Sequence, residues 1–249
     1  MGGNSTLLET KNLTKRFEGL VAVDDVSVSF DEDELHAIIG PNGAGKTTFF
    51  NLLTGTLQPS DGQVLFQGED VTDLPPEQIA RRGMIRSYQI QQLFLRNSVL
   101  ENVRIAVQSN YNSYNFWQKA DDKEEITEKA RGILDRVGLS DKAEEDAQNL
   151  SHGEQRTLEL AISLGPDPDL LLLDEPTSGM NAEETTGMIE LIDDLADDVA
   201  IVLVEHKMSV VKEVADHIIV LHNGQRIADG SYDEVRTDEQ VKRVYLGGN

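Results

Sequence analysis

The chain of 249 residues contains no cysteine, which excludes disulfide staples and thiol chemistry. Cations are scarce: 22 Lys and Arg stand against 45 Asp and Glu, for a net charge of -23. A nucleic-acid partner needs a basic patch that neutralises phosphates, and no basic run occurs in the chain, so none is expected. Long apolar runs are missing as well. "DLLLLDE" sets four leucines between carboxylates, whereas a membrane-spanning helix needs roughly 20 apolar residues. The start, "MGGNSTLLETKN", has no basic region followed by an apolar stretch and does not read as a signal peptide. Together these absences point to a soluble, cytoplasmic chain, long enough to bury a full core as one large domain or two joined lobes.

The acid excess has two readings. Many cytoplasmic proteins carry a solvated acidic surface. Adaptation to a salt-rich cytoplasm gives the same composition, because at about 1 M salt charges are screened within about 3 Å and self-repulsion becomes tolerable. The recurrence of "DED", "DDKEE" and "AEED" favours the halophile reading.

Hydropathy patterning divides the chain. "TLLETKNLTKRF" and "VAVDDVSVSF" alternate apolar and polar residues, as antiparallel strands with one wet face do. "LHAIIG" is a short aliphatic strand, and "KTTFFNLLTG" reads as a helix closed by Gly55. "GQVLFQGED" reads as a hairpin around Gly68, and "HIIVLHNGQRIADG" as another turning at "HNGQ". "SVLENVRIAV", "KEEITEKARGILDRVG" and "EQRTLELAISLG" are helical; in the second, Ile126, Ala130, Ile133, Leu134 and Val137 share one face. The stretch "SNYNSYNFWQKADDKEE" reads as an exposed loop. "LLLLDE" and "VAIVLVEH" are aliphatic on both faces, the mark of buried parallel strands. Residues 90–164 therefore form an expected helical lobe inserted into a strand–helix core built from 1–89 and 165–249.

"GPNGAGKTT", Gly40 to Thr48, fits G-x-x-x-x-G-K-[ST] between an expected strand and an expected helix. Glycines let backbone N–H groups curl around phosphates at a helix N-terminus whose dipole favours anions. Lys46 would reach the β- and γ-phosphates and the Thr47 hydroxyl would ligate Mg²⁺. Asp174, closing "LLLLD", is placed to hold the Mg²⁺ through water, and Glu175 to orient and polarise an attacking water.

A hundred residues on, "LSHGEQRTLEL" opens an apolar helix. Ser151 with Glu154 three residues later makes a capping box that needs no ligand. The same helix start, with Gly153 permitting close approach, is also an anion site. One phosphate loop already embraces its own ATP, so a second phosphate-seeking helix start makes sense facing the nucleotide of a neighbouring molecule.

With these motifs in order, the chain resembles an ATP-binding cassette (ABC) ATPase from end to end. "LSHGEQ" (Ser151, His152, Gly153, Glu154, Gln155) resembles that family's signature motif, and "SGMN" (Ser178, Gly179, Met180, Asn181) its D-loop. Gln89 in "RSYQ" resembles the Q-loop glutamine and His206 in "VEHK" the switch histidine. Phe17 resembles the aromatic that stacks on adenine, with Val23 lining the same face. The departures are His152 for the signature's usual glycine, Glu154 before Gln155, Asn181 for a frequent aspartate and Tyr88 for a frequent phenylalanine.

The resemblance implies an α/β P-loop NTPase fold with a mostly parallel sheet, an N-terminal antiparallel β subdomain and an inserted α-helical subdomain, the whole forming one ATPase domain over 1–249. It implies ATP held by Phe17, Val23, Asn42, Gly43, Ala44, Gly45, Lys46, Thr47, Thr48 and Gln89, with Mg²⁺ at Thr47, Gln89 and Asp174. Lys46, Glu175 and His206 carry hydrolysis in that picture. It also implies a head-to-tail dimer with two ATP molecules at the interface. On their own, Phe17 reads as sheet packing, Gln89 as a strand-end polar group, and His36, His152, His206, His217 and His222 as surface histidines.

Finer texture, "GMN", "GEQR" and the terminal "YLGGN", is similar to ATP-binding subunits of branched-chain amino acid importers. Relatives with close motifs serve urea or amide uptake or lipopolysaccharide export, and some cassette proteins serve no transporter. The importer resemblance implies two permease subunits, a second and different cassette, a substrate-binding protein reached indirectly, and attachment to the cytoplasmic face of the membrane through the permease.

Overall fold

A computed structural model describes residues 6–87, 93–110 and 121–246. The two long alternating segments pair as β1 (Thr6–Phe17) and β2 (Leu20–Asp31), and β1 pairs on its other side with β4 (Asp61–Phe66), which turns at Gln67–Gly68 into β5 (Glu69–Asp70). This antiparallel sheet has the order β2-β1-β4-β5.

The second sheet has the order β10-β9-β3-β8-β7-β6. Its parallel strands are β6 (Met84–Ser87), β7 (Leu170–Asp174), β8 (Ala200–Val204), β3 (His36–Ile39) and β9 (His217–His222), with β10 (Gln225–Gly230) antiparallel at the edge. The sheet is buried on both faces, which is why β8 is apolar throughout and β7 at every position but the last. Ala37, Ile39, Leu171, Leu173, Leu203 and Val220 face one core. Their alternating neighbours Ile38, Leu170, Leu172, Val202 and Ile219 face the other, shared with the antiparallel sheet and α1 (Lys46–Leu53).

Short α2 (Pro76–Ala80) leads into β6. Between β6 and β7 lie α3 (Val99–Val107), α4 (Asp121–Arg136) and α5 (His152–Leu164). Ile126, Ala130 and Leu134 along α4 and Val137 just past its end are buried as their spacing predicts, with Ile133 partly buried beside them. The helix begins two residues before the expected Lys123: Asp121 and Asp122 belong to it rather than to a loop, since acidic residues suit a first turn whose dipole is positive. Residues 111–120 of that expected loop lie outside the described residues. Helices α6 (Ala182–Ala196), α7 (Met208–Val214), α8 (Tyr232–Thr237) and α9 (Glu239–Leu246) complete the chain. Among the described residues no helix is long and apolar enough to cross a membrane.

His36 is not a surface histidine. It opens β3 at 2% exposure; its Nε2 accepts the Asp31 N–H at 3.0 Å, and the Phe30 and His217 rings lie 5.2 and 5.3 Å away. A four-residue strand in mid-sheet buries whatever begins it. Burial first, and the nearby His217 second, lower its pKa to about 4, against partial opposition from Asp31, Asp229 and Asp216. The unfolded chain takes up this proton near pH 6.5, so acid favours unfolding through the window from about 6.5 down to 4. Stability from this group is complete above the window and lost by up to about 3 kcal/mol on descending through it. His36→Leu should therefore show a shallower dependence of the urea midpoint on pH between about 4.5 and 6.5. An unchanged slope would assign the acid sensitivity elsewhere.

Candidate functional site

The loops that follow β3, β7 and β8 leave the same edge of the parallel sheet, the C-terminal ends of its strands, where ligands bind in open α/β sheets. From β3 the chain enters Gly40–Gly45 and then α1. Gly45 has φ +102 and packs so closely that a Cβ there would stand 2.4 Å from the Ala22 carbonyl, so only glycine serves. The loop is clasped from outside: Gly224 N–H donates to Ala44 O at 2.9 Å, and Asp24 N–H to Gly224 O at 2.8 Å. A cleft of about 540 Å³ results, lined by Leu20, Val21 and Ala22, the loop Asn42 to Thr48, Glu175, Asn223 and Gly224.

Lys46 is buried, with Nζ donating to Gly40 O at 2.7 Å and Pro41 O at 3.2 Å. Burial lowers its pKa, partly offset by the carboxylates of Glu175 and Asp174. Thr47 is exposed to the cleft. One adenine-site expectation changes. Val23 is wholly buried among the core residues behind β2, on the far side of a register shift against β1 from Val21, and the cleft takes Leu20, Val21 and Ala22 instead. Phe17, 44% exposed at the end of β1 with Lys15 Nζ 5.3 Å from its ring centroid, stands outside the cleft lining. Gln89 and Tyr88 lie outside the described residues.

Asp174 closes β7 and is buried. Its Oδ2 accepts from Arg86 Nη2 at 2.6 Å, and Arg86 Nη1 donates to Asn51 Oδ1 at 2.5 Å while its guanidinium lies 5.6 Å from the Phe50 ring centroid. Sequence reading missed this arginine. The signal was a cation closing the apolar strand "MIRS", yet the partner follows only from β6 lying beside β7. Thr47 and Asp174 offer hydroxyl and carboxylate oxygens, the hard donors that Mg²⁺ takes; the pair fits the ion, with Asp174 presenting the oxygen that Arg86 does not hold.

Glu175 follows in the left-handed region at φ +50, its N–H donating to Val204 O at 2.9 Å. Such strain in a residue other than glycine gathers at functional sites. His206, exposed beyond β8, has Nδ1 3.7 Å from Glu175 Oε1. A carboxylate and an imidazole are thus side by side at the cleft.

Ser151 to Gln155 are elsewhere. Ser151 caps α5 by accepting the Glu154 N–H at 3.2 Å, and Glu154 Oε2 accepts the Ser151 N–H at 2.7 Å, completing the capping box. That backbone bond is the main cause of a lowered Glu154 pKa, with Lys142 adding to it. Gln155 Nε2 donates to the carbonyls of Ala147 and Leu150. The motif rests on the start of α6: a Cβ on Gly153 would lie 2.7 Å from Glu184 Oε1, and one on Gly179 2.8 Å from His152 Nε2. Asn181 caps α6, accepting the Glu184 N–H at 3.0 Å. Ser151, Gly153 and Glu154 line a second cleft with Arg136, Met180 and Glu184 and none of them lines the first.

Comparison with known proteins gives a consistent picture. A family model described as ABC transporter matches residues 23–178, and one described as branched-chain amino acid ATP-binding cassette transporter matches 225–249. The high-affinity branched-chain amino acid transport ATP-binding protein BraF of Pseudomonas aeruginosa is 38% identical over 252 residues, 97% of this chain and 98% of that protein. A probable branched-chain amino acid transport ATP-binding protein LivG of Archaeoglobus fulgidus is 38% identical over 97% of this chain and 95% of its own. Among solved structures, the ADP conformation of an ATP-binding cassette of an ABC transporter superposes with TM-score 0.87 at 32% identity, covering 97% of this chain and 99% of that one.

The buried Arg86–Asp174 pair has a measurable consequence. Arg86→Leu strands a buried carboxylate, and the expected loss is about 3 kcal/mol of unfolding free energy in urea. The Arg86→Leu, Asp174→Asn double variant should recover part of it, since no charge is left unpaired; equal losses in the two would mean the pair is not what matters.

Proposed function

The chain belongs to the ABC transporter family, and from that premise we propose that it energises an importer of branched-chain amino acids. The chain is an ATPase that uses ATP with Mg²⁺, and cassettes of this kind work with transmembrane permease subunits and dimerise. The observation that carries the finer reading is identity of 38% running end to end with branched-chain amino acid transport ATP-binding proteins, joined to the match of residues 225–249.

In the proposed mechanism, Asn42, Gly43, Ala44, Gly45 and Thr48 wrap the phosphates with Lys46 as the cation facing them. When bound, Mg²⁺ neutralises charge on the phosphates, and Thr47, Gln89 and Asp174 are the side chains that would hold it. Glu175 takes the proton of the attacking water, and His206, beside it, donates to the γ-phosphate. Phe17 stacks on the adenine. Ser151 to Gln155 and Ser178 to Asn181 complete the site of a second cassette. Their separation from the phosphate-loop cleft of their own chain supports this reading, because one chain holds two halves that do not meet.

The proposed division is a nucleotide-binding core over 1–89 and 165–249 and a helical subdomain over 90–164. Where the two abut, a groove of about 290 Å³ lined by Ile79, Met84, Leu93, Ala106 and Ile162 is offered to a cytoplasmic helix of the permease. A second, different cassette, two permease subunits and, indirectly, a substrate-binding protein complete the assembly at the cytoplasmic face of the membrane.

The first test is gentle purification from native membranes in high salt. Two multi-helix permease subunits and another cassette should accompany the chain; recovery of soluble proteins alone would end the transport reading. Glu175→Gln should bind ATP, dimerise and hydrolyse at least about 100-fold more slowly, the scale of a lost general base. Lys46→Ala should lose nucleotide binding, and retained tight binding would refute its assignment.

We propose in addition that the charge of -23 is an adaptation to a salt-rich cytoplasm. The thermal midpoint should then rise steeply from about 0.1 to 1 M KCl, as the screening length falls from about 10 to 3 Å. Equal stability in dilute buffer would sink the idea.

A further inference from the structure

Glu205, one residue past β8, is wholly buried. Its carboxylate gathers four donors. Oε1 accepts the Thr177 N–H at 3.2 Å and the Thr177 hydroxyl at 2.6 Å; Oε2 accepts the His206 N–H at 3.1 Å and the Lys207 N–H at 3.4 Å. A buried carboxylate needs surrounding donors in place of water, and here each oxygen receives two. Lys207 returns the hold from the other side, donating from Nζ to the Thr177 carbonyl at 2.9 Å. Thr177, also fully buried, is therefore gripped at its N–H, hydroxyl and carbonyl by the two residues that flank His206.

The position of this grip matters. Thr177 lies two residues after Glu175 and directly before Ser178 to Asn181. Glu175 is fastened to β8 through its N–H on Val204 O, and its Oε1 stands 3.7 Å from His206 Nδ1. The loops after β7 and β8 thus share one buried anchor, and half-buried Glu175 and exposed His206 are the ends of the two arms.

We propose that Glu205 is a positioning residue, whose carboxylate sets the spacing of Glu175 and His206 and passes any movement of Ser178 to Asn181 on to the histidine. This rests on the reading of Glu175 and His206 as the hydrolytic pair. Neither Glu205 nor Thr177 is among the residues lining the nucleotide cleft, so the anchor acts on turnover and leaves ATP affinity alone. A misplacement of about 1 Å in a reacting pair lowers rate by up to about 100-fold.

The test measures kcat, KM and the Kd for ATP on full-length variants checked for folding by circular dichroism. Glu205→Gln turns two acceptor directions into donors that face other donors; kcat should fall at least about tenfold while KM and Kd stay within about twofold. Thr177→Val, which keeps the volume and removes the 2.6 Å bond, should show the same split, and Thr177→Ser should restore the rate. Should Glu205→Gln fail to fold, the two Thr177 variants decide. Unchanged kcat in the folded variants, a KM or Kd rising in step with the loss, or no rescue by Thr177→Ser would overturn the proposal. Glu175→Gln and His206→Ala measured alongside separate the two levels. If they lose turnover and the anchor variants do not, positioning alone falls; if they keep it, the catalytic-pair reading falls and the anchor's role goes with it.

Discussion

A parallel sheet buried on both faces has nowhere to put a charge except at its ends. That constraint organises this molecule. Between them β3, β7 and β8 carry one histidine and one aspartate, at the first residue of β3 and the last of β7. Immediately beyond their C-terminal ends come the phosphate loop, Glu175 and the Glu205–His206 pair. Parallel register brings these ends to one edge without any residue having to seek another. The core and the site are thus consequences of one arrangement, and a change that slipped a strand by one residue would exchange the faces of the sheet and disperse the site together.

Lys46, Asp174 and Glu205 are buried at that edge and find their partners in different ways. Lys46 lies on the carbonyls of its own loop, which makes it a cation partly stripped of water and ready for a better anion. Asp174 is neutralised by Arg86, an ionic solution whose loss leaves an uncompensated charge. Glu205 is held by four dipolar donors, a solution that fixes geometry more than charge, because every donor points from a defined backbone or hydroxyl position. Of the residues given roles in the proposed mechanism, Thr47 and His206 are exposed and Glu175 is half-buried.

Sequence made the short-range features legible. The phosphate loop, the capping box of Ser151 and Glu154, the buried strand "LLLLD" and the hairpin at Asn223–Gly224 are each set by residues a few positions apart, and each formed where its pattern lies. What escaped depends on partners distant in the chain: Arg86 with Asp174, Thr177 with Glu205, and His36 with His217. No periodicity carries such pairs; they follow from strand order. Val23 fails for a subtler reason. Exposed Val21 and buried Val23 share the strand's hydropathy pattern, and the shifts of register between β1 and β2 decide which of them reaches the cleft. Asn181 reads as a motif position and serves as a helix cap as well.

That double service bears on Ser151. In the capping box its hydroxyl oxygen acts as acceptor for the Glu154 N–H, which leaves the hydroxyl proton available to a phosphate oxygen. The N–H groups of His152 and Gly153, in the first turn of α5, have no acceptor within the helix, as at the start of any helix. Cap and anion site therefore use different atoms of the same residues. The cap sets the direction of the turn, and Glu184 and Gly179 seat it against α6. Glu154 brings a carboxylate to the same turn, but its Oε2 is spent on the Ser151 N–H and Lys142 Nζ lies 3.7 Å from its Oε1, so the negative charge is drawn back into the helix start.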